Sequence, residues 1–487
     1  MRICAFAFAI AFLSLIHPPP ANASPWVGTI DRQLHNDLQT LVEWGYIDLA
    51  VTAYPVPWKG ISSALRDVDP ATMPSLPRLA HTRLMYYSNL QAQKKSRHFA
   101  TLQGATDDVR FRSFDDGVQE KGKISLSSEF YIGRVSAQLT LNYADGGRTN
   151  LDNSFIAYQF GSWNVRVGSI DQFWGPAQSS SLILSTNTRP IKAIALSRSS
   201  ATRSESPWLS WLGPWYFTTQ MGQLESDRAV PDAKLFLNRA NVRPIKGLEI
   251  GFSWAAMWGG EGRPEDLDSF IEVITFESVC LRPDGICTDA QLSKRGNHLA
   301  GFDITYSFNL FSRPITLYGQ RIGEDSAGTF NITDNANLFG ISTYFGNAKV
   351  FLETSDTNVN CDGGATDTFD CYYENGVYES GYRAYGRAIG STFDSDARQI
   401  TLGANYRFNE GAVAELYVRH AELNQDGRNP SPVLTDSASE DLLELSGFYR
   451  MPFNKWLLTA GGTVSRRDLP QGDETDGLLY FKAQYAF

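Results

Sequence analysis

The stretch from Gly168 to Pro190 gathers Asp171, Gln172, Phe173, Trp174, a Gly175-Pro176 turn, a Ser/Thr run, Asn187 and Arg189. These residue types suit sugars. Aromatic faces stack on pyranose rings, while acid, amide and guanidinium groups bond to hydroxyls and carboxylates. The same Trp174-Gly175-Pro176 run can equally be a packing corner that folds a loop inward. Arg228, Arg383 and Arg387 extend the candidate set, since a guanidinium grips a carboxylate with two parallel hydrogen bonds. They can also serve only to neutralise neighbours such as Glu225 and Asp227. Asp171, Phe173, Trp174, Asn187, Arg189, Glu225, Asp227, Arg228, Arg383 and Arg387 are therefore the candidate binding residues.

The patterns for catalysis are poor. Glycoside cleavage needs two carboxyls across one bond, but Glu324 and Asp325 would point to opposite faces of a strand. Glu225 and Asp227 share a face yet stand without a supporting constellation. The alternation Asp356, Asn358, Asn360, Asp362-Gly363 imitates a calcium loop, but Cys361 occupies the glycine position and no glutamate closes it. His35, His81, His98, His298 and His420 lack metal-ligand spacing. There is no Gly-x-Ser-x-Gly, phosphate-binding glycine loop or His-Glu-x-x-His. The expectation is a non-enzymatic protein without metal or cofactor.

The elements that must position these residues change character along the chain. Residues 1–23 read as a secretory signal peptide, with Arg2, an apolar core from Ile3 to Ile16 and Ala21-Asn22-Ala23. Residues 24–96 read as a small helical periplasmic or plug domain. Leu34, Leu38, Leu41 and Val42 have helical spacing, with Gly45 as a stop, and Leu76, Leu79, Leu84, Tyr87 and Leu90 repeat it. From residue 97 to 487 the period becomes two. Val135, Ala137, Leu139, Leu141 and Tyr143 alternate with Ser136, Gln138, Thr140 and Asn142, and later runs repeat the pattern.

Such ten-residue segments with one apolar face are the signature of a transmembrane barrel. Eighteen candidate strands follow: 97–113, 122–132, 134–145, 153–160, 163–170, 191–199, 213–223, 233–242, 248–258, 298–309, 313–322, 335–345, 347–356, 398–408, 411–422, 438–450, 454–466 and 477–487. Tight links alternate with long ones, as periplasmic turns alternate with external loops; only the link near 200–212 is long where a short one is due. Both termini then lie on the periplasmic side of an outer membrane. The strand ending on Phe487 is the expected signal to the barrel-assembly machinery.

Acidic residues outnumber basic ones by 53 to 43, which leaves no electrostatic footprint for nucleic acid. The longest external connections, 259–297 and 357–397, carry Cys280, Cys287, Cys361 and Cys371. Four cysteines allow three pairings, and pairing within each loop is expected in an oxidising compartment.

Several motifs together resemble the capsule assembly Wzi family: Asp171-Gln-Phe-Trp-Gly-Pro176, Ser181-Leu-Ile-Leu-Ser185, Asn187-Thr-Arg-Pro190, Leu212-Gly-Pro-Trp215, Leu317-Tyr-Gly-Gln320 and Tyr385-Gly-Arg387. The resemblance covers nearly all of the chain after the leader. It implies an eighteen-stranded outer-membrane barrel with a periplasmic helical bundle, holding capsular polysaccharide or exopolysaccharide at the cell surface in a lectin-like way. A porin-like channel for small solutes or oligosaccharides is the rival. Outer-membrane lipid and the polysaccharide are the expected partners of a monomeric protein.

Overall fold

A computed structural model describes residues 25–28, 31–93, 96–115, 117–275, 296–324, 334–360, 371–428, 433–434 and 438–487. Strands β1 (Arg97–Ala105), β2 (Gly122–Ile132), β3 (Val135–Ala144), β4 (Arg148–Asn150 with Phe155–Phe160), β5 (Trp163–Gly168) and β6 (Lys192–Arg198) open the barrel. They continue as β7 (Trp215–Gln223), β8 (Lys234–Ile245), β9 (Leu248–Trp258), β10 (Asn297–Leu310), β11 (Arg313–Glu324) and β12 (Asn335–Phe345). The last six are β13 (Ala348–Asp356), β14 (Ala397–Arg407), β15 (Val413–Leu423), β16 (Glu440–Phe453), β17 (Trp456–Leu469) and β18 (Gly472–Ala486). Both pieces of β4 pair with β3, so they count as one interrupted stave of eighteen. Closure comes from β18 against β1, with Tyr480 opposite Ala105 and Ala486 opposite Phe99.

The alternation is inverted relative to a soluble sheet. On β3, Ser136, Gln138, Thr140 and Asn142 are buried, whereas Val135, Leu139 and Tyr143 are exposed. On β15, Glu415, Tyr417 and Arg419 are buried while Leu416 and Val418 face outward. Only a lipid-facing wall around a polar interior makes that pattern favourable, and closure leaves no unpaired edge in hydrocarbon. The apolar outer surface is thus the membrane belt.

One strand is shorter than its sequence implied. The expected run 97–113 ends at Ala105, and residues 106–115 and 117–121 turn into the barrel. Burial drives this. Phe111 packs on Phe393 with ring centroids 5.2 Å apart, and Phe114 stacks on Phe173 at 4.4 Å.

Among the described residues, three α-helices precede the barrel: α1 (Gln33–Glu43), α2 (Ile61–Arg66) and α3 (Ser75–Ala92). The apolar side of α1 (Leu34, Leu38, Leu41) shares a core with Ala80 and Leu84 of α3. Its polar side enters the periplasmic end of the lumen. There Asp37 pairs with Arg407 at 2.5 Å, Gln33 donates to Glu415 at 2.5 Å, and Glu43 pairs with Lys349 at 2.9 Å. The long link between β6 and β7 also has its reason: Ala201 accepts from the Ala50 amide at 3.1 Å, and Lys59 forms a bridge with Ser200. That link cradles the helical part.

Candidate functional site

The connection between β5 and β6, residues 169–191, enters the lumen from the external side. Phe173–Trp174 forms a two-residue antiparallel ladder with Ala53–Tyr54, which arrives from the periplasmic side. Two stoppers therefore meet inside the barrel. Around the seam, Phe173, Phe114, Tyr54 and His35 form a continuous aromatic cluster with centroid spacings of 4.4, 4.9 and 5.3 Å. Arg32 pairs with Asp171 at 2.8 Å across the same seam.

Barrel-wall polar groups hold each stopper. Glu353 accepts from the amides of Gln178 at 2.5 Å and Ser179 at 2.9 Å, and from the Tyr318 hydroxyl at 2.8 Å. Gln320 donates to the Trp174 carbonyl at 3.0 Å and accepts from the Leu182 amide at 2.7 Å. Gly175, at φ +149°, lies so close that a Cβ there would meet the Gln320 side chain at 2.9 Å. On the periplasmic piece, Glu249 accepts from the amides of Val51 at 3.1 Å and Thr52 at 2.9 Å. Arg239 donates to Thr52 Oγ1 at 2.8 Å and forms a buried ion pair with Asp303. Backbone donors buried in a lumen need such partners, and acids and amides on the wall supply them.

Above the stopper lies a tyrosine-rich cap from the β13–β14 connection. The hydroxyls of Tyr372 and Tyr373 donate to the Leu182 carbonyl at 3.1 and 2.7 Å, and Tyr382 donates to Ile183 at 2.9 Å. Arg383 binds Asp394 at 2.7 Å. Arg228 donates to the carbonyls of Arg383 at 2.8 Å and Gly381 at 3.2 Å, while Glu225 accepts from the Tyr385 amide at 2.9 Å.

These contacts place the ten candidate residues. Phe173 and Trp174 are 2% and 1% exposed, so neither ring has a free face for a pyranose. Asn187 is fully buried and donates to the carbonyls of Ala388 and Ser391 at 2.9 and 3.3 Å. Asp171, Arg228, Arg383 and Glu225 are engaged in holding loops together. Asp227 is exposed at the rim. Arg189 binds Asp152 at 2.7 Å with its guanidinium 4.1 Å from the Tyr385 ring, and Arg387 reaches Asn187 Oδ1 at 2.9 Å. Of the ten, Arg189 and Arg387 together line an open cavity at the external mouth.

Two cavities occupy the external mouth. The larger, about 520 Å³, lies between the 106–121 arm and the outer halves of β15 to β18. Its walls include Arg110, Phe111, Tyr417, Arg419, Arg467 and Tyr480. Arg110 grips Glu440 at 2.6 and 2.7 Å, and Arg467 joins the same carboxylate at 3.1 Å. The smaller, about 170 Å³, is lined by Lys121, Arg148, Arg189 and Tyr385 among others. Arg112 and Arg387 line both. Arg110 and Arg112 escaped the sequence reading because Val109-Arg110-Phe111-Arg112 alternates like a strand. The flanking Asp107-Asp108 and Asp115-Asp116-Gly117 were the signal that a loop intervenes.

Among the described residues, no cluster of His, Cys, Asp or Glu is arranged to hold a metal. Asp356 binds Arg398 at 3.1 Å, and Asn358 binds Asp396 at 2.7 Å. Asp325, Asp362, Cys280, Cys287 and Cys361 lie outside the described residues.

Comparisons with known proteins agree with this architecture. The solved structure of Wzi, an outer-membrane protein involved in group 1 capsule assembly in Escherichia coli and described as a carbohydrate-binding β-barrel, superposes with a TM-score of 0.78. It is 23% identical, and the match covers 96% of this chain and 99% of that one. A Klebsiella pneumoniae protein, described as an uncharacterized 55.8 kDa protein in the cps region, is 29% identical over 349 residues. That match spans 68% of this chain and 65% of the relative's length. The model of the capsule assembly protein Wzi family matches residues 91–477, and the chain belongs to that family.

Proposed function

We propose that this protein binds capsular polysaccharide or exopolysaccharide at its external mouth and attaches or organises it on the cell surface, without cleaving it. The observation that carries this reading is the mouth itself. A 520 Å³ cleft walled by arginines, tyrosines and two phenylalanines opens above a stoppered lumen. Ligand sites are concave, with an apolar body and a few placed polar groups, and sugars use both. Family membership and the carbohydrate-binding description of the Escherichia coli relative support the same conclusion.

The channel reading lacks comparable support, because segments from both ends meet inside the lumen and are pinned by buried acids. In the proposed reading residues 1–23 are a removed export signal and the protein acts as a monomer. Cys280 pairs with Cys287 and Cys361 with Cys371 to brace the outer loops, and the strand ending at Phe487 directs barrel assembly. Detergent-purified protein tested against polymer from the host strain decides between the readings. Saturable binding with no steady conductance in planar bilayers is expected; a large steady current without polymer binding contradicts the proposal.

A further inference from the structure

Arginines at the mouth are generally paired with carboxylates: Arg110 and Arg467 with Glu440, Arg189 with Asp152, Arg383 with Asp394, and Arg419 with Glu444. Arg112 and Arg387 break that rule. Arg112 donates to the Asn187 carbonyl at 2.9 Å, and its buried Nε has no partner. Arg387 donates to the carbonyls of Asn187, Val109 and Arg110 at 2.9, 3.3 and 2.5 Å and to Asn187 Oδ1, with no carboxylate among its contacts. Asp108 and Glu120 influence both from a distance without forming an ion pair with either.

We propose that the 170 Å³ cavity is a subsite for an acidic sugar, with a uronate carboxylate seated on Arg112 and Arg387 and its ring against Tyr385. The inference rests on the reading that the mouth holds polysaccharide. Two adjacent guanidinium groups, partly desolvated and satisfied only by neutral oxygens, make a favourable seat for an anion. Burial pushes the Arg387 guanidinium down to about 9, with the neighbouring Arg112 charge adding to the effect. A bound carboxylate would relieve both. The cavity suits one sugar ring, and because Arg112 and Arg387 also line the 520 Å³ cleft, a linear polymer can continue from one space into the other. Lys121 and Arg148 stand at the rim, paired with Asp107 and Glu120 at 3.7 and 3.0 Å, so among the cations lining the cavity Arg112 and Arg387 are the ones without a carboxylate partner.

The test uses purified full-length protein and the host polymer, native or with its carboxyls reduced to hydroxymethyl groups. Native polymer should bind roughly tenfold or more tightly than reduced polymer, the range of a hydrogen bond to a charged group. Arg112→Gln should erase that preference, Arg387→Gln should do likewise, and Arg387→Lys should keep part of it. Arg203→Gln, on the periplasmic link, should leave it unchanged. Heat-modifiable gel mobility establishes that each variant is folded. A polymer devoid of carboxylates, equal affinity for both forms, or a folded Arg112→Gln that keeps the preference overturns the subsite. Equal but tight binding leaves the proposed function standing, whereas no binding of either form removes both.

Discussion

Asp396 shows how a single side chain fastens the outer cap. Its carboxyl accepts from Asn358 Nδ2 at 2.7 Å and from the Asp426 amide at 3.2 Å, joining the β13–β14 connection to the β15–β16 connection. Burial pushes this carboxyl up to about 7, with the Asp426 charge adding and the hydrogen bonds opposing. A folded value above the unfolded one means that the native state holds a proton the open state releases. The contribution is therefore full at acid pH and is lost as pH rises through about 7. Hydrogen exchange of the amides at 424–426, corrected for intrinsic rates, should show stronger protection near pH ~5.5 than near pH ~8. Asp396→Asn should flatten that dependence; a variant with an unchanged profile would refute the assignment. At this scale the sequence is a poor guide. Asp356, Asn358 and Asp362 suggested a calcium loop, whereas Asn358 bonds to Asp396, 38 residues away.

At the scale of elements, the two-piece stopper makes the firmest prediction. Glu353→Ala removes the acceptor for two loop amides and a tyrosine hydroxyl, and each buried group left unpaired costs about 1–3 kcal/mol. Trp174→Ala empties a fully buried site at the seam, a loss of about 3–5 kcal/mol. Both variants should lower the temperature at which the folded gel band disappears. Glu353→Ala should also introduce transient conductance steps in planar bilayers, where the wild type should stay quiet. Thermal behaviour equal to wild type would mean that these contacts do not hold the stopper. The strands were legible because lipid outside and polar groups inside enforce a strict period of two, as on β3 and β15. The stretch 168–190 stood out because it breaks that period while remaining rich in apolar residues. Its chemistry was not legible, since Glu353, Gln320 and the tyrosine cap that hold it come from distant strands and loops. The 106–121 arm was hidden for the opposite reason: Val109 to Arg112 imitates a strand.

For the whole molecule, the structure combines two segments that meet inside the lumen with an open external mouth. Stoppers from the periplasmic and external sides join at Ala53–Tyr54 and Phe173–Trp174, the buried pair Arg239–Asp303 ties two wall strands together, and Arg407–Asp37 ties helix α1 to the wall. Removing one partner of a buried pair typically costs about 3–5 kcal/mol, so Asp303→Ala should impair folding more than any rim substitution. Yield of heat-modifiable barrel in the membrane fraction measures this; an Asp303→Ala yield matching that of a rim variant such as Asp227→Ala would contradict it. A stable, closed barrel with charged and aromatic groups at its mouth suits holding a polymer rather than passing one. The most direct test of that claim is the partition of polymer between cells and medium in a deletion strain carrying wild-type protein, Arg112→Gln or an empty vector. Total polymer should be equal in all three, cell-bound with the wild type, shed with the vector and largely shed with Arg112→Gln. Polymer that stays fully cell-bound in the deletion strain would contradict it.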